Sequence, residues 1–487
     1  MKKQVGRQGM KFEKWVLVDF IDAGGNGEVW KAIDGQRAEY AIKILTRISP
    51  KAYDRFYDEI KIVDTNSDVK GILPIIYYLP KPTKDMVMVW YVMPLAVPFV
   101  KWAENKGAQE IVLAIISIAE TMSILHKRDI NHRDIKPANL FYLGNCYYIG
   151  DFGLVEYPTK KDLTHKGETI GPKWTMAPEM KRFAEKAKGG PADVYSLAKT
   201  LWILLTKEKK GFEGQYVINS SIELKKYQNE IYVQPLDDLL FNSTDNDPAK
   251  RPTMAQFVEK LREWVELEKD YDKQNKDEWR RIQQQIFPAA IPQRVFWKDA
   301  NQIIIILNIL GNSKNFNHTF FPDGGGLDLE SAKLSIEKAC IELRCNSLVY
   351  IVKPLRLIFE SFSEDPQWNY FRLETGGLDP IEERIKDNDF SFEVFTEISP
   401  GKYVEYSAWD NDEYNGKPLP DTARPVARYF KGDFVIFCKK SYYNKDHSTY
   451  DGRHNKMTTE QFRKYIELCI KKMAEIKRED KERTQLS

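Results

Sequence analysis

One stretch constrains this 487-residue chain more than any other: His126 to Gly153, HKRDINHRDIKPANLFYLGNCYYIGDFG. In it His132, Arg133 and Asp134 are followed by Lys136 and Asn139, and twelve residues beyond Asn139 by Asp151, Phe152 and Gly153. The run between them is apolar and aromatic and reads as a hairpin joining two short loops. Three oxygen-bearing side chains, Asp134, Asn139 and Asp151, therefore fall on those loops. Phosphoryl transfer requires such a set: one carboxylate to orient an acceptor hydroxyl, and an amide oxygen and a second carboxylate to hold the Mg²⁺ ions that neutralise phosphates.

The spacing resembles the catalytic loop and metal loop of the protein kinase family, HRDxKxxN followed by DFG. A lone HRD or DFG carries little weight; the pair at this distance is specific. The resemblance implies a bilobal fold, with a small β-rich N-lobe and a larger helical C-lobe, and ATP and Mg²⁺ as cofactors. It gives Asp134 the acceptor hydroxyl, Asn139 and Asp151 the metal, and Lys136 the charge on the transferring group. Lys136, two after the Asp, is the serine/threonine-kinase pattern.

Upstream, Trp15 to Ile21 alternates as a strand and runs into DAGGNGEV, after which VWKAI returns. Gly24 and Gly27 match the second and third glycines of the family's GxGxxGxV loop, where absent side chains let amides approach phosphate oxygens. Asp22 stands in place of the first glycine, a departure expected to weaken or reorient nucleotide near the ribose. Glu39 to Leu45 resembles the VAIK strand, with Lys43 on the phosphates. The segment from Lys51 to Asp64 spaces Phe56, Ile60 and Val63 on one helix face, and its Glu59 matches the glutamate that pairs with the strand lysine. Val63 is expected to pack with His132 and Phe152. Met86 to Leu95 reads as a buried strand, with Met93 as gatekeeper and Pro94 to Ala96 as hinge. The resemblance extends nucleotide contact to Ile21, Val29, Ala41, Met93, Ala96 and Phe141. Gln109 to His126 reads as a core helix.

Between Gly153 and Glu179 lies the expected activation segment, with Thr159, Thr164 and Thr169 as candidate phosphorylation sites beside Arg133. Pro172 replaces the threonine usual in serine/threonine kinases, and the Trp-Thr-Met-Ala-Pro-Glu run echoes tyrosine kinases, so dual specificity stays open. Asp193 resembles the residue that anchors the catalytic loop, in a DxWSxG motif that has Ala198 for glycine. Arg251 of DPAKRPT matches the partner of Glu179. These late motifs separate protein kinases from kinase-like small-molecule phosphotransferases. The resemblance covers about Trp15 to Leu267.

Composition narrows the remaining classes. Lys and Arg outnumber Asp and Glu only by 73 to 71, which gives no support to a nucleic-acid or anionic-membrane partner. Five cysteines without a CxxC pair read as reduced thiols. The longest aliphatic run, Ile303 to Leu310, is too short to span a bilayer, and the expectation is a soluble cytoplasmic protein.

The expected organisation is a kinase domain at 14–267, a charged helical linker at 268–288, and a separate α+β domain at 289–487 of no recognised family. In that last domain Leu327 to Phe362 suggests helices, Phe390 to Trp409 a hairpin, and FVIFC a strand; Thr458 with Gln461 forms a capping box. Its aromatic residues, among them Trp368, Tyr370 and Trp409, suit a core or a ligand pocket. Two functions follow. One is an active kinase acting on protein substrates and on itself, its C-terminal domain regulatory or substrate-selecting. The other is a pseudokinase scaffold that binds nucleotide. Fold-level analogy with soluble bacterial kinases suggests stress signalling or phage defence.

Overall fold

The computed structural model describes all residues except 1–4, 25–26, 47–48, 82–87, 159–173, 183–186, 219, 229–230, 313–317, 321–325, 346–347, 363–365, 380–391, 430–431, 439–456 and 486–487. It divides into two compact units, Met1–Lys269 and Asp270–Ser487.

The first unit opens with strands β1 (Lys11–Phe12), β2 (Trp15–Gly24), β3 (Gly27–Ile33) and β4 (Glu39–Leu45), then helix α1 (Pro50–Thr65), then β5 (Tyr77–Tyr78) and β6 (Trp90–Pro94). The strands form one antiparallel sheet in the order β1-β2-β3-β4-β6-β5. Alternation along each strand sends side chains to two faces. One face gathers Phe12, Trp15, Leu17, Trp30, Ile42, Ile44, Trp90 and Val92 into an aromatic core. The other packs Leu45, Val89 and Tyr91 against Tyr53, Phe56 and Ile60 of α1. Ser49 starts α1 by accepting from the Ala52 amide (3.3 Å), with Pro50 in its first turn.

A three-stranded ribbon of β7 (Val97–Pro98), β8 (Leu140–Leu143) and β9 (Cys146–Ile149) carries the two loops that flank its β8–β9 hairpin. Around it stand α2 (Phe99–Ala103), α3 (Ala108–Lys127), α4 (Pro178–Arg182), α5 (Gly189–Thr206), α6 (Gln234–Ser243) and α7 (Met254–Glu268). Helix α3 is long and apolar enough to cross a membrane by length and composition alone. Its Ile111, Val112, Ile115, Ile118, Met122 and Leu125 instead fill the core of the helical lobe, with α5 and α7.

The second unit begins with α8 (Tyr271–Ile286), β10 (Arg294–Trp297) and α9 (Ala300–Gly311). The charged stretch around residues 268–288 is thus helical, capped by Asp270, but it is more than a solvated linker. Trp279 and Ile282 are buried with Ile303, Leu307 and Leu310 of α9. A narrow apolar stripe does this while charge dominates the composition.

The sheet comprises β11 (His318–Phe320), β12 (Gly326–Leu327), β13 (Leu329–Leu334), β14 (Ile341–Cys345), β15 (Leu348–Glu360), β16 (Tyr370–Gly376), β17 (Phe392–Ser399) and β18 (Lys402–Glu405). After α10 (Ser407–Asp410) and the small pair β19 (Glu413–Tyr414) and β20 (Lys417–Pro418), β21 (Arg424–Tyr429) and β22 (Phe434–Phe437) rejoin it; α11 (Thr459–Gln485) follows. The helices expected over 327–362 are therefore strands. The long β15, rich in β-branched and aromatic residues, pairs its first half with β14 and parallel β21, and its second half with β10 and β16. The exchange of partners falls near Pro354, which lacks the amide a continuous ladder needs, and a bulge follows it.

The expected hairpin is β17–β18, the FVIFC strand is β22, and the capping box is present, Thr458 N donating to Gln461 Oε1 (2.8 Å) and Gln461 N to Thr458 Oγ1 (3.2 Å). Trp368 and Tyr370 are core residues packed on Phe462 and Ile466, whereas Trp409 is exposed. Cys146 is an exposed free thiol; Cys340, Cys345, Cys438 and Cys469 are buried free thiols.

Candidate active site

The catalytic-loop stretch leaves α3 and is fixed from below by Asp193 of α5, which is fully buried. Asp193 accepts the backbone amides of His132 (2.8 Å) and Arg133 (2.7 Å) and lies 3.0 Å from His126 Nε2. These bonds hold Arg133 at φ 66°, a left-handed conformation that arginine adopts only when its surroundings impose it. His132 donates from Nε2 to Gly150 O (3.0 Å) and accepts the Asp134 amide at Nδ1 (3.3 Å), tying one loop to the other. Its ring lies 4.6 Å from that of Phe152, and Phe152 shares a core with Val63 of α1, as the sequence suggests.

Asp134 is only 6% exposed. Lys136 Nζ donates to its Oδ2 (2.8 Å), and Asn139 Nδ2 donates to the same oxygen (3.0 Å) and to Asp134 O (2.9 Å). Burial raises the Asp134 pKa above the usual carboxylate range, against the opposing charge of Lys136. That suits a group that must orient, and at the end receive, a proton.

Asp151 occupies the left-handed region at φ 61°. Its Oδ1 accepts from Lys43 Nζ at 2.9 Å, while Lys43 also donates to Glu59 Oε2 (2.8 Å) and Oε1 (3.1 Å). Burial alone would raise Asp151, but Lys43 outweighs it and holds the pKa at about 2. Burial likewise works against the Lys43 ammonium, and Asp151 and Glu59 together keep it protonated. Strand β4, helix α1 and the metal loop thus meet on one cation, which requires α1 to be docked.

Sequence reading missed two residues here. Tyr91, buried on β6, donates its hydroxyl to Glu59 Oε1 (2.9 Å); it lies opposite Lys43 in the β4–β6 register, a pairing no linear pattern displays. Thr175, also buried, donates Oγ1 to Ile135 O (2.9 Å), fastening the end of the activation segment to the catalytic loop. Thr159, Thr164, Thr169 and Pro172 lie outside the described residues. Beyond them Glu179 receives both guanidinium nitrogens of Arg251 (2.6 and 2.9 Å), the pairing expected from the sequence.

Most of the proposed nucleotide residues lie on strands. Val29 of β3 pairs with Lys43, Ala41 with Met93, and Phe141 of β8 with Pro98; Ala96 follows β6, and Ile21 lies on β2 with its side chain exposed. Gly24 and Gly27 close the hairpin as register partners. A Cβ at Gly27 would come 2.9 Å from Ile44 O, so glycine there serves strand packing as well as phosphate approach. Asp22 spends Oδ1 on the Ala23 amide (2.8 Å) at a β-bulge, so its side chain is turned onto its own strand.

Among the described residues no group of three or more His, Cys, Asp and Glu gathers as a metal cluster. Asn139 commits its amide hydrogens to Asp134, which leaves its amide oxygen as the acceptor; with the Asp151 carboxylate this makes a two-oxygen donor set. Mg²⁺ is held in that way, by one or two protein oxygens with phosphates and water completing the shell, so the residues fit it.

The protein kinase domain family matches residues 15–264. Similar proteins include one from Acanthamoeba polyphaga mimivirus, named as a proposed serine/threonine-protein kinase and 29% identical over 154 residues, 31% of this chain and 55% of that protein. The serine/threonine-protein kinase PknE of Mycobacterium bovis is 26% identical over 216 residues, 41% of this chain and 36% of its own length. Zebrafish (Danio rerio) serine/threonine-protein kinase 10 is 26% identical over 261 residues, 51% of this chain and 26% of its own length. The chain thus spans from about a quarter to about half the length of these relatives.

Proposed function

This chain belongs to the protein kinase family, and from that premise we propose that it transfers the γ-phosphoryl group of ATP to serine or threonine hydroxyls of proteins. The observation that carries the reading is the completed bridge of Lys43 to both Glu59 and Asp151. Lys43, so placed, binds the α- and β-phosphates. Asp134 orients the acceptor hydroxyl for in-line attack and takes its proton as the phosphorus–oxygen bond forms and ADP leaves. Lys136, 2.8 Å from Asp134, offsets charge on the transferring group, and Asn139 and Asp151 would hold Mg²⁺. Bound Mg²⁺ supplies neutralisation of the β- and γ-phosphate oxygens.

Lys136 favours serine and threonine, and the names of the relatives agree. The Trp174-Thr175 pair keeps tyrosine open as a second acceptor. Self-phosphorylation on Thr159, Thr164 or Thr169, a cytoplasmic site of action, and a regulatory or substrate-selecting second unit belong to the same proposal. Neither fold nor site bears on stress signalling or phage defence. The scaffold reading draws on Asp22 and Pro172 alone.

The test is incubation of the full chain with ATP, Mg²⁺ and a mixed protein substrate, with phosphorylated residues identified by mass spectrometry. Phosphoserine and phosphothreonine are expected. Phosphotyrosine as the main product would overturn the serine/threonine assignment.

A further inference from the structure

Residues 5–12 precede the stretch matched by the kinase family, and they are fastened to the glycine-rich hairpin by one buried carboxylate. Glu28 lies between Gly27 and Val29 on β3, where burial alternates residue by residue, so Glu28, Trp30 and Ala32 share the face opposite Val29. Glu28 is 5% exposed. Its Oε1 accepts the Val5 amide (2.9 Å), and its Oε2 accepts the Gly6 amide (3.0 Å) and the Trp30 indole N–H (3.1 Å). Burial works to raise its pKa, but these donors hold it below the ordinary value. Among the described residues its partners are these N–H donors, with no cation among them.

The contact is close. A Cβ at Gly6 would stand 2.4 Å from Trp30 Nε1, so only glycine lets the backbone reach the indole. Farther along, Gly9 N donates to Leu17 O and Leu17 N to Met10 O, both 2.9 Å, and β1 pairs with β2. Phe12 then anchors the segment, its ring 5.1 Å from that of Trp90 and edge-on to it.

We propose that residues 5–12 form a strap that holds the glycine-rich hairpin in its nucleotide-covering position through Glu28, which makes Glu28 a positioning residue for ATP. The proposal rests on the reading of this cleft as an ATP site. Glu28 adjoins Gly27, which with Gly24 forms the last register pair of the hairpin, so fixing it limits the freedom of that end of the hairpin. A hairpin ordered beforehand loses less entropy when nucleotide binds. The bonds are also interdependent, because removing the strap leaves a buried carboxylate short of donors.

The experiment measures Mg·ATP affinity and steady-state kinetics of the full chain, comparing wild type with Glu28→Gln, Val5→Pro, their double variant and Trp30→Phe. Val5→Pro removes one strap donor and leaves Glu28 intact, so the test survives if Glu28→Gln folds poorly. Glu28→Gln should weaken ATP binding about ten-fold and Val5→Pro about three-fold, as expected for loss of one charge-assisted bond. The double variant should bind no worse than Glu28→Gln, because both act through one contact. KM for ATP should rise in step while kcat falls by less than about two-fold. Unchanged affinity in both single variants, or additive losses in the double, would overturn the strap. So would Trp30→Phe alone reproducing the whole Glu28→Gln effect, since that places the role in the indole contact. A wild-type chain that binds no ATP would overturn the reading of the cleft itself, a result distinct from variants that bind as wild type does.

Discussion

The two units bury charge in opposite ways. In the first, Lys43, Glu59 and Asp151 come from a strand, a helix and a loop, and Lys43 and Asp151 are 108 residues apart. Lys43 and Asp151 remain open to the cleft, with side chains 18% and 42% exposed, while Glu59 is buried. In the second unit, Arg424 of β21 clamps Glu342 of β14 (2.6 and 2.8 Å) and Glu397 of β17 (2.6 Å). Both carboxylates are buried, and Glu397 is the register partner of Arg424. Arg372 is wholly buried against Asp433 (2.7 Å), and Glu360 lies between Arg294 and Arg463. These pairs lock elements of one sheet and its flanking helix. Ion-pair strength therefore does not mark a catalytic site. Partners drawn from segments that can separate do, as where a strand, a helix and a loop meet on Lys43.

Variants should divide along that line. The largest effect belongs to Asp134→Asn, expected to lower kcat by about 10³-fold while leaving the thermal transition within about 2 °C of wild type. A large loss of stability instead would make Asp134 a structural residue like those of the second unit. Next comes Arg424→Met, which takes the guanidinium from two buried carboxylates, leaving Lys333 with Glu342 (3.2 Å) and the Gly401 amide with Glu397 (2.8 Å), and should cost about 3 kcal/mol in denaturant unfolding of the second unit. A cost under about 1 kcal/mol would erase the contrast, because pairs worth that little are typical of exposed surfaces.

Asp237 extends the comparison inside the first unit, since it is buried yet lies on α6, apart from the catalytic residues. Burial lifts its pKa to about 6, against the bond it receives from the Tyr216 hydroxyl (2.5 Å). A carboxyl whose folded pKa is raised is stabilising while protonated. Its contribution is complete below about pH 4 and is lost as pH rises through about 6. Asp237→Asn should abolish that decline in unfolding free energy; a decline that persists would assign it to another group. The smallest effect is that of Tyr91→Phe, which takes one donor from Glu59 and should lower kcat about three-fold through looser docking of α1. No change would leave Lys43 sufficient to hold Glu59.

Legibility in the sequence follows the same divide. His132, Asp134, Asn139 and Asp151 are legible because their chemistry demands fixed residue types at fixed spacing, and β2 to β4 because each is a short run rich in β-branched, aromatic and other apolar residues. Tyr91, Thr175 and Glu28 are not, because each depends on cross-strand register or on contact with a distant segment. In the second unit, apolar spacing from Leu334 to Leu343 imitates a helix, while pairing with β15 decides for strands. The partner exchange at Pro354 has a linear trace only in that proline. Helix α8 hides Trp279 and Ile282 among charged neighbours.

The most direct test of the central claim is transfer of labelled γ-phosphate from ATP, with Mg²⁺, by the full chain and by Asp134→Asn, with nucleotide binding measured on both. Incorporation by wild type, and its loss in Asp134→Asn while ATP still binds, is the predicted result. Equal incorporation by the two, or none by either although ATP binds, would contradict the assignment of this cleft to phosphoryl transfer.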